Sequence, residues 1–123
     1  MCAWQLRSEP KPQLSEAEVI EACLKIAARH GYWAVRNPVG RYKTLDMDER
    51  IVTFGTKGDP DYTFTHARYR SFLAEFKATG GELSPAQIKR IASINITYPG
   101  LPVVVIDDPE EFSDWLAQHE RSP

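Results

Sequence analysis

The stretch that decides the reading is Ser71-Phe72-Leu73-Ala74-Glu75-Phe76-Lys77-Ala78, followed by Thr79-Gly80-Gly81. Side chains alternate along an extended chain, so Phe72, Ala74, Phe76 and Ala78 point one way and Leu73, Glu75 and Lys77 the other. The first side is wholly apolar, which predicts a strand lying on a core. The second side carries a carboxylate and an ammonium two positions apart, and so on one face. Gly80-Gly81 ends the strand. Ser84-Pro85 then supplies a helix N-cap followed by proline at the first helical position.

Working toward the C-terminus, the new helix carries Ile88, Ile91, Ala92 and Asn95 on one face. Tyr98 to Pro102 turns, Val103 to Asp107 reads as a buried strand, and Pro109 starts a last helix with Phe112, Trp115 and Leu116 inward. Toward the N-terminus, Tyr62 to Thr65 is extended, and Gly55 to Pro60 holds two glycines and a proline and must turn. Arg50 to Phe54 is a strand, residues 39 to 49 are a polar loop, and Tyr32 to Arg36 is a strand closed by Asn37-Pro38. Ser15-Glu16-Ala17-Glu18 has capping-box form and opens a helix, with Val19, Ile20, Cys23, Leu24 and Ala27 at helical spacing. Gly31 supplies its left-handed stop. Residues 1–14, with Pro10 and Pro12, are predicted to be an arm, and residues 15–120 one domain.

The resulting order is helix, three strands, helix, strand, helix. The first three strands have links too short for helical crossovers and are expected to form an antiparallel meander. Val103 to Asp107 follows a helix and is expected to pair parallel. The fold class is therefore α/β, a mixed sheet flanked by helices.

The chain has 123 residues, 42% apolar and 26% charged, the composition of an ordinary globular domain. No apolar run approaches the ~20 residues that cross a bilayer, so no membrane association is expected. No basic-then-apolar leader opens the sequence, and two cysteines, Cys2 and Cys23, are too few for a disulfide framework. A reducing, cytoplasmic setting is expected, with Cys23 a small core residue. A net charge of -2 argues against a protein that merely coats nucleic acid. It leaves room for an enzyme on DNA whose carboxylates hold a metal. Arg36, Arg41, Lys43, Arg50, Lys57, Arg68 and Arg70 lie between the core segments and are candidates for a phosphate-binding rim.

Three features converge chemically. Gly58-Asp59-Pro60-Asp61 delivers an aspartate at the start of an extended segment. Glu75-Phe76-Lys77 sits on a strand, and Gln87 lies in the first turn of the next helix. Two nearby carboxylates repel unless a cation sits between them. Mg²⁺, a hard ion that takes one or two carboxylates plus water and phosphate, suits Asp61 and Glu75. Such an ion would polarise a phosphodiester and help ionise a water, with Lys77 beside that water to stabilise developing charge. Taken singly, Glu-x-Lys is a common surface-strand pattern and Pro-Asp a common turn. Their conjunction in this order is the specific signal.

In that order, Gly58 to Asp61, Phe72 to Lys77 and Gly80 to Gln87 resemble the VRR-NUC family of the PD-(D/E)xK nuclease superfamily. Ser15-Glu16 at a helix start and Arg36-Asn37 after the first strand are similar to stand-alone phage-type members. The resemblance spans about residues 15 to 116. It implies a restriction-endonuclease-like αβββαβ core and Mg²⁺- or Mn²⁺-dependent hydrolysis of DNA. It also implies homodimers, and activity on branched DNA such as four-way (Holliday) junctions in a bacterial or phage-infected cell. It makes Asp61 and Glu75 metal ligands, with Phe76, the residue after Glu75, also in the metal set, Lys77 catalytic and Gln87 supporting. Asp59 departs from the small or apolar residue usual before the proline, and is expected to point away.

A first-helix glutamate completes the site in that family, and Glu16, Glu18 and Glu21 are candidates. At 100° per residue, position 16 falls with 19, 20, 23, 24 and 27, which puts Glu16 at the end of the buried stripe. Glu18 has a sufficient role as the partner of Ser15, and Glu21 points toward solvent. A DNA-binding or assembly module without turnover is the alternative reading. A small-phosphate transferase is disfavoured, because no GxxxxGK[ST] loop is present.

Overall fold

In the computed structural model, the described residues are 12–37, 40–43, 51–54 and 56–122; for 40–43 and 51–54 the description is of the backbone alone. Helix α1 runs Glu16–Arg29. Its capping box is formed, with Glu18 N–H donating to Ser15 Oγ at 3.1 Å and Ser15 N–H to Glu18 Oε1 at 3.0 Å. Gly31, at φ +86°, turns the chain out of the helix in a region L side chains avoid. Strands β1 (Trp33–Arg36), β4 (Tyr62–Thr65), β5 (Phe72–Phe76) and β6 (Val103–Ile106) make one sheet in the order β1-β4-β5-β6. β4 runs antiparallel to both β1 and β5, while β6 runs parallel to β5 after the crossover through α2 (Pro85–Thr97). Helix α3 is Pro109–Arg121. The structure is thus α/β, with a mixed four-stranded sheet flanked by helices.

The core lies on the apolar side of β5. Phe64 and Phe72 stack with ring centroids 4.8 Å apart, and Phe76 and Phe112 meet edge-on at 5.9 Å beside them. Val19, Cys23 and Ala27 of α1 and Phe112 and Leu116 of α3 are buried against this face, as the apolar periodicity of both helices predicts. Each fully buried aromatic or branched side chain contributes about 1.5–3 kcal/mol relative to exposure.

Three expectations need correction. Residues 40–43, read as loop, form strand β2 (Gly40–Lys43), paired with β3 (Ile51–Phe54) in a separate two-stranded sheet. The Arg50–Phe54 segment is therefore no part of the meander, and β1 pairs directly with β4. The turn after β3 explains this: Gly58 takes φ +88° and Pro60 lacks an N–H, so the chain leaves the hairpin instead of extending it. On α2, the face that carries Ile88, Ile91, Ala92 and Asn95 is largely exposed. Ile94 is buried and Ile88 is 56% exposed. The helix is rotated by two polar anchors, Gln87 and Arg90, described below. Glu16, placed in the buried stripe, is exposed. It stands in the first turn of α1.

The predicted arm lies outside the described residues up to position 11. Leu14 packs on the core and holds Thr79, whose N–H donates to Leu14 O at 3.0 Å. Among the described residues, no helix is long and apolar enough to cross a membrane.

Candidate active site

The strand ladder explains how Asp61 and Glu75 come together. Tyr62 pairs with Ala74, so two positions further along the antiparallel register Pro60 falls opposite Phe76. Pro60 is buried and has no N–H to give. The N–H of Phe76 donates instead to Asp61 Oδ2 at 3.2 Å. The carbonyl of Phe76 lies on the same strand edge as its N–H, and the ladder offers it no N–H from Pro60. Asp61 N–H in turn donates to Glu75 Oε2 at 3.1 Å.

Glu75 is 1% exposed, a carboxylate inside a sheet. Gln87 Nε2 donates to its Oε1 at 2.5 Å, and Lys77 Nζ stands 3.8 Å from the same oxygen. Burial pushes the Glu75 carboxyl up to about 7, and the charge of Asp61 adds to that rise. Lys77 and the Asp61 N–H oppose it, and Glu16 adds a smaller push upward. Glu16 reaches in from α1, so that ligand atoms of Glu16, Asp61 and Glu75 lie within 4.8 Å of one another.

Five residues singled out from sequence therefore meet at one point: Glu16, Asp61, Glu75, Lys77 and Gln87. Glu18 is spent on the Ser15 cap, and Glu21 pairs with Lys25 at 3.3 Å. Asp59 points away from the cluster. Its Oδ1 accepts from Arg90 Nε at 2.6 Å and its Oδ2 from Thr56 N–H at 2.8 Å. Of the proposed basic rim, Arg36 lines a cleft with Glu16 and Asp61, and Lys57 lines a groove with Lys89 on α2. Arg68 and Arg70 sit in the β4–β5 link, at the opposite end of those strands from Asp61 and Glu75, because β5 begins there. The side chains of Arg41, Lys43 and Arg50 lie outside the described residues.

Asn37, read from sequence as the closure of a strand and as part of the Arg36-Asn37 resemblance but given no role at the site, has a larger part. Its main-chain N–H donates to Asp61 O at 2.7 Å, its Nδ2 to Pro60 O at 3.0 Å, and its Oδ1 accepts from Thr63 Oγ1 at 2.8 Å. One asparagine thus holds the backbone that presents Asp61. The Asp59–Arg90 pair and the tight seat of Gly58 do the same from the other side: a Cβ at Gly58 would collide with the carbonyl of Ala86. The hints of Asn37 in the sequence are its place just before Pro38 and the Arg36-Asn37 resemblance, neither of which states a contact with Asp61.

The donor set suits a hard divalent ion. It offers oxygen ligands, from carboxylates whose mutual repulsion a cation relieves, with the Phe76 carbonyl on the edge where Pro60 has no N–H to give. Neither a protein-family model nor a curated protein matches this chain.

Proposed function

We propose that this chain is a Mg²⁺- or Mn²⁺-dependent endonuclease hydrolysing DNA phosphodiesters, of the VRR-NUC type. The observation that carries the reading is the convergence of Glu16, Asp61 and Glu75 with Lys77 and Gln87 at one point. A bound divalent ion would supply Lewis acidity at the scissile phosphate. Asp61, Glu75 and Glu16 would hold it, with the Phe76 carbonyl on the same edge. Gln87 fixes the Glu75 carboxylate through Oε1, leaving its other oxygen toward Asp61. Lys77 places a positive charge beside Glu75, where it favours hydroxide over water and offsets charge gathering on the phosphate. Asn37 and the Asp59–Arg90 pair keep Asp61 in register with Glu75.

Branched DNA, such as a four-way junction, as substrate and a homodimer as the working form rest on the resemblance. Two-fold symmetric sites would suit paired cuts on such a junction. A cytoplasmic setting, in a bacterial or phage-infected cell, belongs to the same reading and accords with the free thiol of Cys23.

The test is cleavage of plasmid, single-stranded, flap and four-way junction DNA with Mg²⁺, with Mn²⁺ and with excess chelator. Cleavage that needs the metal and is abolished by Asp61→Asn or Glu75→Gln is the expected result. Equal cleavage in chelator would overturn it. Light scattering with and without DNA checks the dimer.

A further inference from the structure

A cleft of about 400 Å³ opens between the first half of α1 and the β1–β4 pair. Ile20, Leu24 and Tyr62 form apolar walls, Glu16 and Asp61 stand at the carboxylate cluster, and Arg36 lines the cleft with them. Among the described residues, Arg36 is the only cationic one lining it. It is exposed and forms no ion pair among the described residues, although carboxylates line the same cleft. Two other basic side chains near this end are engaged, Lys77 with Glu75 and Lys25 with Glu21.

The position of Arg36 is firmly set. It stands opposite Tyr62 in the β1–β4 ladder, the residue directly after Asp61. Cross-strand neighbours have Cβ atoms about 5 Å apart, so the two residues flank one spot. The next residue, Asn37, ties the end of β1 to Pro60 and Asp61. A group held on a strand this way is suited to recognising a ligand without first being ordered.

A cluster of carboxylates repels a polyanion, so a nucleic-acid strand entering here needs a cation beyond any metal. The guanidinium fork matches a phosphate in geometry and stays charged at every accessible pH. We propose that Arg36 grips a backbone phosphate of the DNA strand, next to the phosphate at the carboxylates, and so sets how that strand enters the cleft. The apolar walls then take the sugar between the two phosphates. This rests on the nuclease reading and adds to it the group that orients the strand.

The experiment compares wild type, Arg36→Ala and Arg36→Lys. It measures oligonucleotide binding by fluorescence anisotropy across rising NaCl, and steady-state cleavage with Mg²⁺. Arg36→Ala is expected to raise KM about tenfold, the loss falling on KM and not on kcat. The slope of log affinity against log salt should become shallower by about 0.9 for the one duplex phosphate contact removed. Arg36→Lys should keep the slope and recover part of the affinity. If the wild type cuts DNA with Mg²⁺ but Arg36→Ala has the same slope and KM, this inference falls and the nuclease reading stands. If the wild type neither binds nor cuts DNA, both fall. If inorganic phosphate inhibits the wild type but not Arg36→Ala, while oligonucleotide binding is equal in the two, Arg36 serves free phosphate and the strand-gripping role is overturned.

Discussion

Arg90 Nε donates to Asp59 Oδ1 at 2.6 Å, joining the second turn of α2 to the turn that presents Asp61. The same helix supplies Gln87 to Glu75, so α2 touches both carboxylates, one through a loop and one directly. The carboxylate before the proline, unusual by the resemblance, therefore aims its neighbour and leaves the charge of the cluster unchanged.

Arg90→Ala should lower the cleavage rate about tenfold through misplacement of Asp61, and Asp59→Asn should do the same. The pair is partly exposed, so the cost in stability should be about 1 kcal/mol or less. A double-mutant cycle in kcat is the check. The double mutant should be little worse than either single mutant, giving a coupling of about 1 kcal/mol or more. Strictly additive losses would dissolve the clamp.

Lys77→Ala should keep Mn²⁺ affinity but reduce turnover about a hundredfold or more, since in the proposed mechanism the lysine serves the phosphate and not the metal. Calorimetry with the folded variant reads the affinity. Collapse of Mn²⁺ binding would contradict the role assigned to the ammonium.

The pH response of the metal-free protein follows from Glu75. Its carboxyl is held up to about 7 in the fold, above about 4.3 in an unfolded chain. The folded state therefore binds this proton more tightly. The stabilisation is full below the unfolded value and lost as pH climbs through 7. The loss should be about 3 kcal/mol between pH 4 and pH 8. Urea melts in chelator should show it, and Glu75→Gln, which carries no charge, should flatten the slope. Added Mg²⁺ should restore stability at pH 8 in the wild type alone. A wild type as stable at pH 8 as at pH 5 in chelator would refute the assignment.

The glutamates of α1 separate cleanly. Glu16→Gln should lose cleavage about a hundredfold or more while remaining folded, because its carboxylate lies in the cluster. Glu18→Gln should lower the melting temperature through the Ser15 cap and leave the cleavage rate near wild type. Glu21→Gln should change neither greatly. Inactivity of Glu18→Gln or Glu21→Gln, with Glu16→Gln active, would move the site along the helix.

Part of this architecture is legible in the sequence, and the rest is hidden for physical reasons. The β5 alternation from Phe72 to Phe76, the stripe Val19-Cys23-Ala27 and the Ser15 and Ser84 caps are local patterns, and each forms as read. Asp61, Glu75 and Lys77 are legible because short segments bring them together. Glu16 falls on the right side of α1, but it is exposed at the helix start, and a helical period does not record how far along the helix burial extends. The pairing of β1 with β4 skips the β2–β3 hairpin, and periodicity carries no information on such a skip. On α2 the orientation is not legible from the apolar positions, because Gln87 and Arg90, both polar, are the residues that meet Glu75 and Asp59. Asn37 is hidden for the same reason: polar tertiary contacts leave no period in a chain.

Gln87 faces two ways. Its Oε1 accepts the Ser84 N–H at 2.8 Å, closing the start of α2, while its Nε2 is spent on Glu75 Oε1. The amide is therefore a lever with one arm on a helix end and the other on a carboxylate. Whatever draws Glu75 aside, whether proton, ion or phosphate, must tug on the cap at Ser84. Amide hydrogen exchange at residues 84 to 87 becomes a local gauge of what occupies the carboxylates, readable with no DNA present.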